Sequence, residues 1–239
     1  CTILWPFYCT IFPDWHRHSW HEGFFISYAT VISHKDSIQL SLNENKLYWK
    51  KLFIENNIPS PTLFAYVLNK NWTLVQAPDS MESKVIVKMN DGCCGNGIII
   101  RNWNDVLKNK PDYDCVIEEY KKVNPPMHYR VTTLHKDSNT VIPLQILKIE
   151  DSNAKIVSNK GRVVKYKENI GSVEKLVKLH EKLFKNIFSI SWDVIIDKNN
   201  EFVLEGNVPG ALCWKTECGD VNNKYFCYAK SWLKNNGNF

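Results

Sequence analysis

Residues 191–207 read SWDVIIDKNNEFVLEGN, and this stretch limits the fold more than any other. Two apolar runs flank the polar turn KNNE, which predicts a β-hairpin. Strand residues two apart share a face, so Glu205 and Asn207 point the same way with Gly206 between them. An antiparallel hairpin sets the start of its first strand beside the end of its second, which brings Asp193 next to Glu205 and Asn207. Two carboxylates and an amide at one sheet end are the hard oxygen donors that Mg²⁺ takes, with waters and substrate phosphates completing the shell. A polar sheet edge is the plainer reading of the same residues.

The rest of the chain builds two regions around such hairpins. From Asn43 the segment NENKLYWKKLFIENN places Leu47, Lys50, Lys51, Phe53 and Ile54 at helical spacing, with Asn43 or Asn45 able to cap the start. Prolines in IPSPTLFAYV stop that helix, and its apolar run reads as a strand. KVIVKMN (84–90) is a β-branched strand, DGCCGNG (91–97) a turn-rich loop, and IIIRNW a further strand. A short helix in WNDVLKN and a strand in CVIEEYK follow. YRVTTLH (129–135) and VIPLQILKIE (141–150) then read as antiparallel strands around the turn KDSN. In VEKLVKLHEKLFKNI, Val173, Leu176, Val177, His180, Leu183 and Phe184 form one apolar stripe, so His180 is expected as a satisfied, partly buried histidine rather than a ligand. The order predicts an α+β protein of two lobes, over 43–118 and 119–239.

Residues 1–42 show no such regularity. The chain starts with Cys1, so these residues are expected to be the remnant of an N-terminal region belonging to a longer or processed protein. His16, His18 and His21 lie close together there, but no second ligand group has zinc-site spacing, and a solvated loop is the simpler reading.

Composition narrows the class. Of 239 residues, 44% are hydrophobic and 23% charged, as in globular enzymes. The net charge of +5 is spread without a dense basic block, which argues against a nucleic-acid partner. The eight cysteines include the adjacent Cys93 and Cys94 but no C-x-x-C. They read as reduced thiols of a cytoplasmic protein rather than a disulfide framework or zinc site. No apolar run approaches the ~18–20 residues that a membrane helix needs.

Lys88 sits just before DGCCGNG. Gly92, Gly95 and Gly97, with the small Cys93 and Cys94, allow the backbone to approach phosphate oxygens. The loop lacks the G-K-[ST] of a P-loop, and a plain hairpin turn fits it equally well. In CVIEEYK, Glu118 and Glu119 point to opposite faces of a strand between the lobes. One of them, with the backbone of Glu119 and Tyr120, can accept hydrogen bonds from an adenine amino group or a ribose hydroxyl; a solvent-facing acid pair is the alternative.

Taken in order, Lys46 on a helix, Lys88 before a glycine loop, the hinge IEEY and WDVIIDKNNEFVLEGN resemble the ATP-grasp superfamily. YRVTTL and SNKG (158–161) resemble its sugar-transfer-associated family, and the likeness covers roughly residues 43–212. The resemblance implies two α+β lobes with antiparallel sheets clamping ATP. Lys46 and Lys88 would touch the phosphates, and loop 91–97 would close over them. Glu118, Glu119 and Tyr120 would line the nucleoside pocket, and Asp193, Glu205 and Asn207 would hold one or two Mg²⁺ ions. Lys148 would look toward the γ-phosphate, and Arg130 would serve the carboxylate or acyl-phosphate end.

The reaction so implied is ligation: a carboxylate attacks the γ-phosphate, and an amine, or less often a thiol, displaces phosphate from the acyl phosphate. The substrates would be small acids and amines, or sugar-linked acceptors in cell-surface polysaccharide synthesis. One departure stands out. Many amino-acid ligases carry an arginine two residues before the metal aspartate, and this chain has Ser191 there. A kinase of the same fold and a non-catalytic nucleotide-binding module are the competing expectations.

Overall fold

The structure, a computed structural model, describes residues 45–92, 97–123, 127–150, 162–165, 170–197, 200–208 and 221–235. Helix α1 (Lys46–Glu55) comes first. Its N-cap is Asn45, whose side chain accepts from the Tyr48 N–H at 2.9 Å, one of the donors that a helix start leaves free. Strands β1 (Leu63–Leu68), β2 (Asn71–Leu74), β3 (Lys84–Met89) and β4 (Ile98–Asn102) follow. Helix α2 (Trp103–Lys108) and strand β5 (Cys115–Glu119) complete the first lobe. Its sheet has the order β2-β1-β5-β3-β4, with every neighbouring pair antiparallel.

The second lobe holds β6 (Met127–His135), β7 (Val141–Glu150), β8 (Arg162–Lys165), α3 (Val173–Leu183), β9 (Ser189–Asp197), β10 (Asn200–Asn207) and α4 (Val221–Asn235). Its antiparallel sheet runs β10-β9-β6-β7-β8. The α+β class with antiparallel sheets is thus the architecture found.

Alternation decides which residues form each core. On the second sheet, Trp192 and Val194 of β9, Tyr129 and Val131 of β6 and Val203 of β10 pack against Leu176 and Leu179 of α3. In the first lobe, Phe64, Val85 and Val87 pack against Trp103 and Val106 of α2. Each such side chain fully removed from water contributes roughly 1.5–3 kcal/mol before chain entropy is counted.

Helix α1 serves both lobes. Trp49, Leu52 and Phe53 join the second-lobe core, while Leu47 packs with Leu63 and Val116 of the first sheet. Two details differ from the expected helix: Lys50 is buried, at 1% exposure, and Ile54 stands out at 55%. The loop after α1 adds a further tie, since Val203 N–H donates to the Pro59 carbonyl at 2.7 Å. Glu201 fastens β10 to α3 by accepting from the Gly171 and Ser172 N–H groups at 2.7 and 2.6 Å.

Gly206 has a packing cause. A Cβ there would fall 2.8 Å from Trp49 Cη2 and 3.1 Å from Trp192 Cζ3. The glycine between Glu205 and Asn207 thus lets the α1 indole close over the C-terminal end of β10.

Candidate active site

The register of the second sheet builds one polar row. Asp193 lies opposite Glu205 on β10 and opposite Arg130 on β6. One step along, Ser191 lies opposite Asn207 and Thr132. Directly opposed residues share a face, so these side chains stand together, on the side away from Trp192 and Val194. An irregularity between Val203 and Glu205 allows Val203 to stay in the core while Glu205 joins the row.

Asp193 is 6% exposed and heavily contacted. Arg130 grips it with both ends of the guanidinium, Nε to Oδ1 at 2.9 Å and Nη2 to Oδ2 at 3.0 Å, a bidentate charge-assisted pair. The Asn207 Nδ2 donates to Oδ2 at 3.4 Å, and His128 Nε2 stands 3.8 Å from Oδ1. Glu205 is in a different state. Burial, and then the charge of Asp193, raise its pKa above the ordinary carboxylate value, while Lys46 and Lys88 pull the other way.

The lysines arrive from the first lobe and from α1. The start of α1 is stitched to the end of β3: Asn90 accepts from Lys46 N–H through its carbonyl at 3.2 Å and from Leu47 N–H through its side chain at 2.9 Å. Lys46 Nζ donates to the Gly92 carbonyl, at the entry to the glycine loop. One turn along the helix, Lys50 Nζ reaches Glu118 Oε2 at 2.7 Å. Lys88 Nζ approaches the same carboxylate, 3.4 Å from Oε1 and 3.5 Å from Oε2. Burial alone would raise the pKa of Glu118, but Lys50 and Lys88 outweigh it and hold the group below its usual range. Lys50 is driven down to about 8, chiefly by burial, with Glu118 opposing and Lys88 adding to the fall.

The remaining expected residues lie as follows. Glu119 takes the opposite face from Glu118 and accepts from Lys121 at 2.6 Å and Thr62 at 3.1 Å. Lys121 in turn stacks 4.3 Å from the Phe202 ring centre, which links the hinge to β10. Tyr120 is half-buried, its N–H bonded to the Lys84 carbonyl at 3.4 Å. The register does not bring Lys148 to the polar row; it sits opposite Tyr129, whose own partner is Val194, on the core side of the sheet. Gly97 closes the glycine loop at φ 71°, where an added Cβ would collide with Met89. Cys93, Cys94 and Gly95, the His16/His18/His21 cluster and segment 158–161 lie outside the described residues.

Lys50 is the residue that sequence reasoning overlooked. Its signal was present, because Lys46 and Lys50 are four apart and share a helix face. His180 met its expectation in stronger form: fully buried, its Nδ1 is 2.9 Å from Thr133 Oγ1 and its Nε2 is 2.8 Å from the Ile187 carbonyl.

The donor set fits a magnesium ion. Two carboxylates stand opposite each other, an amide that can turn its oxygen lies beside them, and the burial and, after it, the Asp193 charge that raise Glu205 are what a divalent cation offsets. Among the described residues no three His, Cys, Asp or Glu side chains form a group that could hold a metal ion. No helix among the described residues is long and apolar enough to cross a membrane.

No protein-family model matches the sequence, and no curated protein sequence matches it significantly. Solved structures do resemble the fold. D-cycloserine synthetase DcsG superposes with a TM-score of 0.58 at 12% identity, covering 88% of this chain and 79% of that one. A D-alanine–D-alanine ligase from Bacillus anthracis, complexed with ATP, gives 0.54 at 16% identity, covering 84% and 67%. An L-amino acid ligase from Bacillus licheniformis gives 0.47 at 14% identity, and the present chain spans 40% of its length. The chain has the α+β ATP-grasp fold, built on two antiparallel sheets. At these identities the likeness is one of fold.

Proposed function

We propose that the chain is a Mg·ATP-dependent ligase that activates a carboxylate as an acyl phosphate and joins it to an amine or a thiol. The observation that carries this reading is the opposed pair Asp193–Glu205, met by Asn207 and Arg130 on one sheet and by Lys46 and Lys88 from across the site. Phosphoryl transfer asks for charge neutralisation and in-line positioning more than for covalent help from the protein, and this site is made of little else.

Asp193, Glu205 and Asn207 would hold Mg²⁺, which when bound supplies charge neutralisation at the phosphates. Lys46 and Lys88 would hold the phosphate oxygens, with loop 91–97 closing over them. Glu118, Glu119 and Tyr120 would border the nucleoside. Arg130 would orient Asp193 and present the rest of its guanidinium to the carboxylate or acyl phosphate. The likeness of YRVTTL to the sugar-transfer-associated family supports a sugar-linked acceptor from cell-surface polysaccharide synthesis in the cytoplasm.

One observation favours a second reading. Ser191 occupies the position where many ligases carry an arginine, and it is hydrogen-bonded to Thr132 at 3.0 Å. Without that arginine a tetrahedral oxyanion loses a natural partner, whereas a kinase forms none. A phosphate-release screen over acids and amines with Mg·ATP separates the two. The ligase releases ADP and phosphate only when acid and amine are both present. A stable phosphorylated product formed without amine assigns the kinase, and no turnover with any acid despite tight Mg·ATP binding removes the ligase reading.

A further inference from the structure

Lys50 is a buried ammonium that the proposed mechanism does not use. It is 1% exposed, and its polar partners among the described residues are first-lobe groups: Glu118 Oε2 at 2.7 Å and, more weakly, the Pro61 carbonyl at 3.4 Å. The Glu118 carboxylate is equally buried and is shared with Lys88, whose ammonium is the more distant at 3.4 Å. Two cations therefore share one anion. A carboxylate that satisfied Lys88 alone would cancel its charge, and a cancelled charge does not attract phosphate.

We propose that Lys50 is a positioning residue: by taking the nearer oxygen of Glu118 it prevents that carboxylate from neutralising Lys88, and so leaves the site a net positive charge for a polyphosphate. This rests on the polyphosphate part of the function proposed above. The groups facing Lys50 are Glu118 from β5, Lys88 from β3 and, at longer range, Glu205 from β10. The first two form the triad, and Glu205 adds negative charge that makes a second lysine more necessary. Because burial holds Lys50 near 8, the device weakens as pH rises past that value, when its ammonium loses its proton.

The test is calorimetric titration with magnesium tripolyphosphate, a ligand without adenine or ribose, alongside Mg·ATP. Lys50→Met keeps the stem and removes the charge, and should bind tripolyphosphate about tenfold more weakly, as expected for losing one unit charge near the ligand. Adding Glu118→Gln to that variant removes the anion as well and should restore most of the affinity. A purely structural role predicts the opposite, since the double variant would be worse. In the wild type, affinity should fall above about pH 8, and Lys50→Arg should abolish that fall.

Wild-type affinity in Lys50→Met, or no recovery in the double variant, overturns the proposal while leaving ATP binding intact. A wild-type protein that binds neither tripolyphosphate nor ATP removes the nucleotide reading and this inference together. Were Lys50→Met to misfold, Glu118→Gln alone decides: tripolyphosphate binding that tightens or holds supports the proposal, and binding that weakens overturns it.

Discussion

The two faces of the β6–β9 strand pair are built from alternate residues of the same segments, yet they behave as opposites. On the core face, Trp192 Nε1 donates to Thr133 Oγ1 at 2.8 Å, and the same hydroxyl meets His180 Nδ1 at 2.9 Å. His180 passes its other nitrogen to the Ile187 carbonyl at 2.8 Å. That chain is neutral, and each polar atom in it has a partner. On the other face, one position along, two carboxylates stand opposite each other with an arginine on one of them. Its polar groups crowd like with like, and Glu205 is held away from its ordinary state. Buried polarity that satisfies itself fixes a fold; buried polarity left in conflict marks where a ligand completes the site.

The contrast is broken most directly by two substitutions. Thr133→Val removes the hydroxyl shared by Trp192 and His180, leaving two buried groups unpaired at a cost of about 2–4 kcal/mol. Asp193→Asn on the opposite face removes the partner of Arg130 but also the repulsion on Glu205, so its stability change should be much smaller. Urea denaturation of the two variants checks this, and equal losses would show that the faces do not differ in kind.

Acid sharpens the comparison by a smaller amount. Burial drives His180 from 6.5 down to about 3, and burial also lowers His135. Because the folded-state values lie below the unfolded ones, the unfolded chain takes up the protons first. The stability these neutral histidines provide is complete above about pH 6.5 and is lost as pH falls toward their folded values, at up to about 1.4 kcal/mol per pH unit for each group. Denaturation curves at pH 7 and pH 5 measure this, and a pH-independent midpoint in that range contradicts it.

Much of this was legible in the sequence because period reports burial. The β9–β10 hairpin and the α3 stripe follow from periodicity, but regular alternation would pair Asp193 with Leu204, and the bulge between Val203 and Glu205 that sets Glu205 opposite Asp193 was not legible. Strand β2 was not legible: Asn71–Leu74 has the half-exposed pattern of an edge, and its turn is made by Asn69 and Lys70 at positive φ of 51° and 63° rather than by a glycine. Helix α4 was missed although Tyr225, Ala229 and Trp232 share a buried stripe, because its asparagines and aromatics carry little helical propensity. Lys50 was hidden by its residue type, since a lysine in a helix reads as solvated until a buried glutamate is placed beside it. The placement of Lys148 depended on which parity β7 takes against β6, and only the register supplies that.

The function proposed above makes Asp193 and Glu205 the carboxylates through which Mg²⁺ strengthens ATP binding. Calorimetric titration of ATP with and without Mg²⁺ tests it, on the wild type and on Asp193→Asn combined with Glu205→Gln. Mg²⁺ should tighten ATP binding to the wild type at least about tenfold and have no effect on a double variant that keeps the wild-type circular-dichroism spectrum. Mg²⁺-dependent affinity that survives in the double variant, or is absent from the wild type, contradicts it.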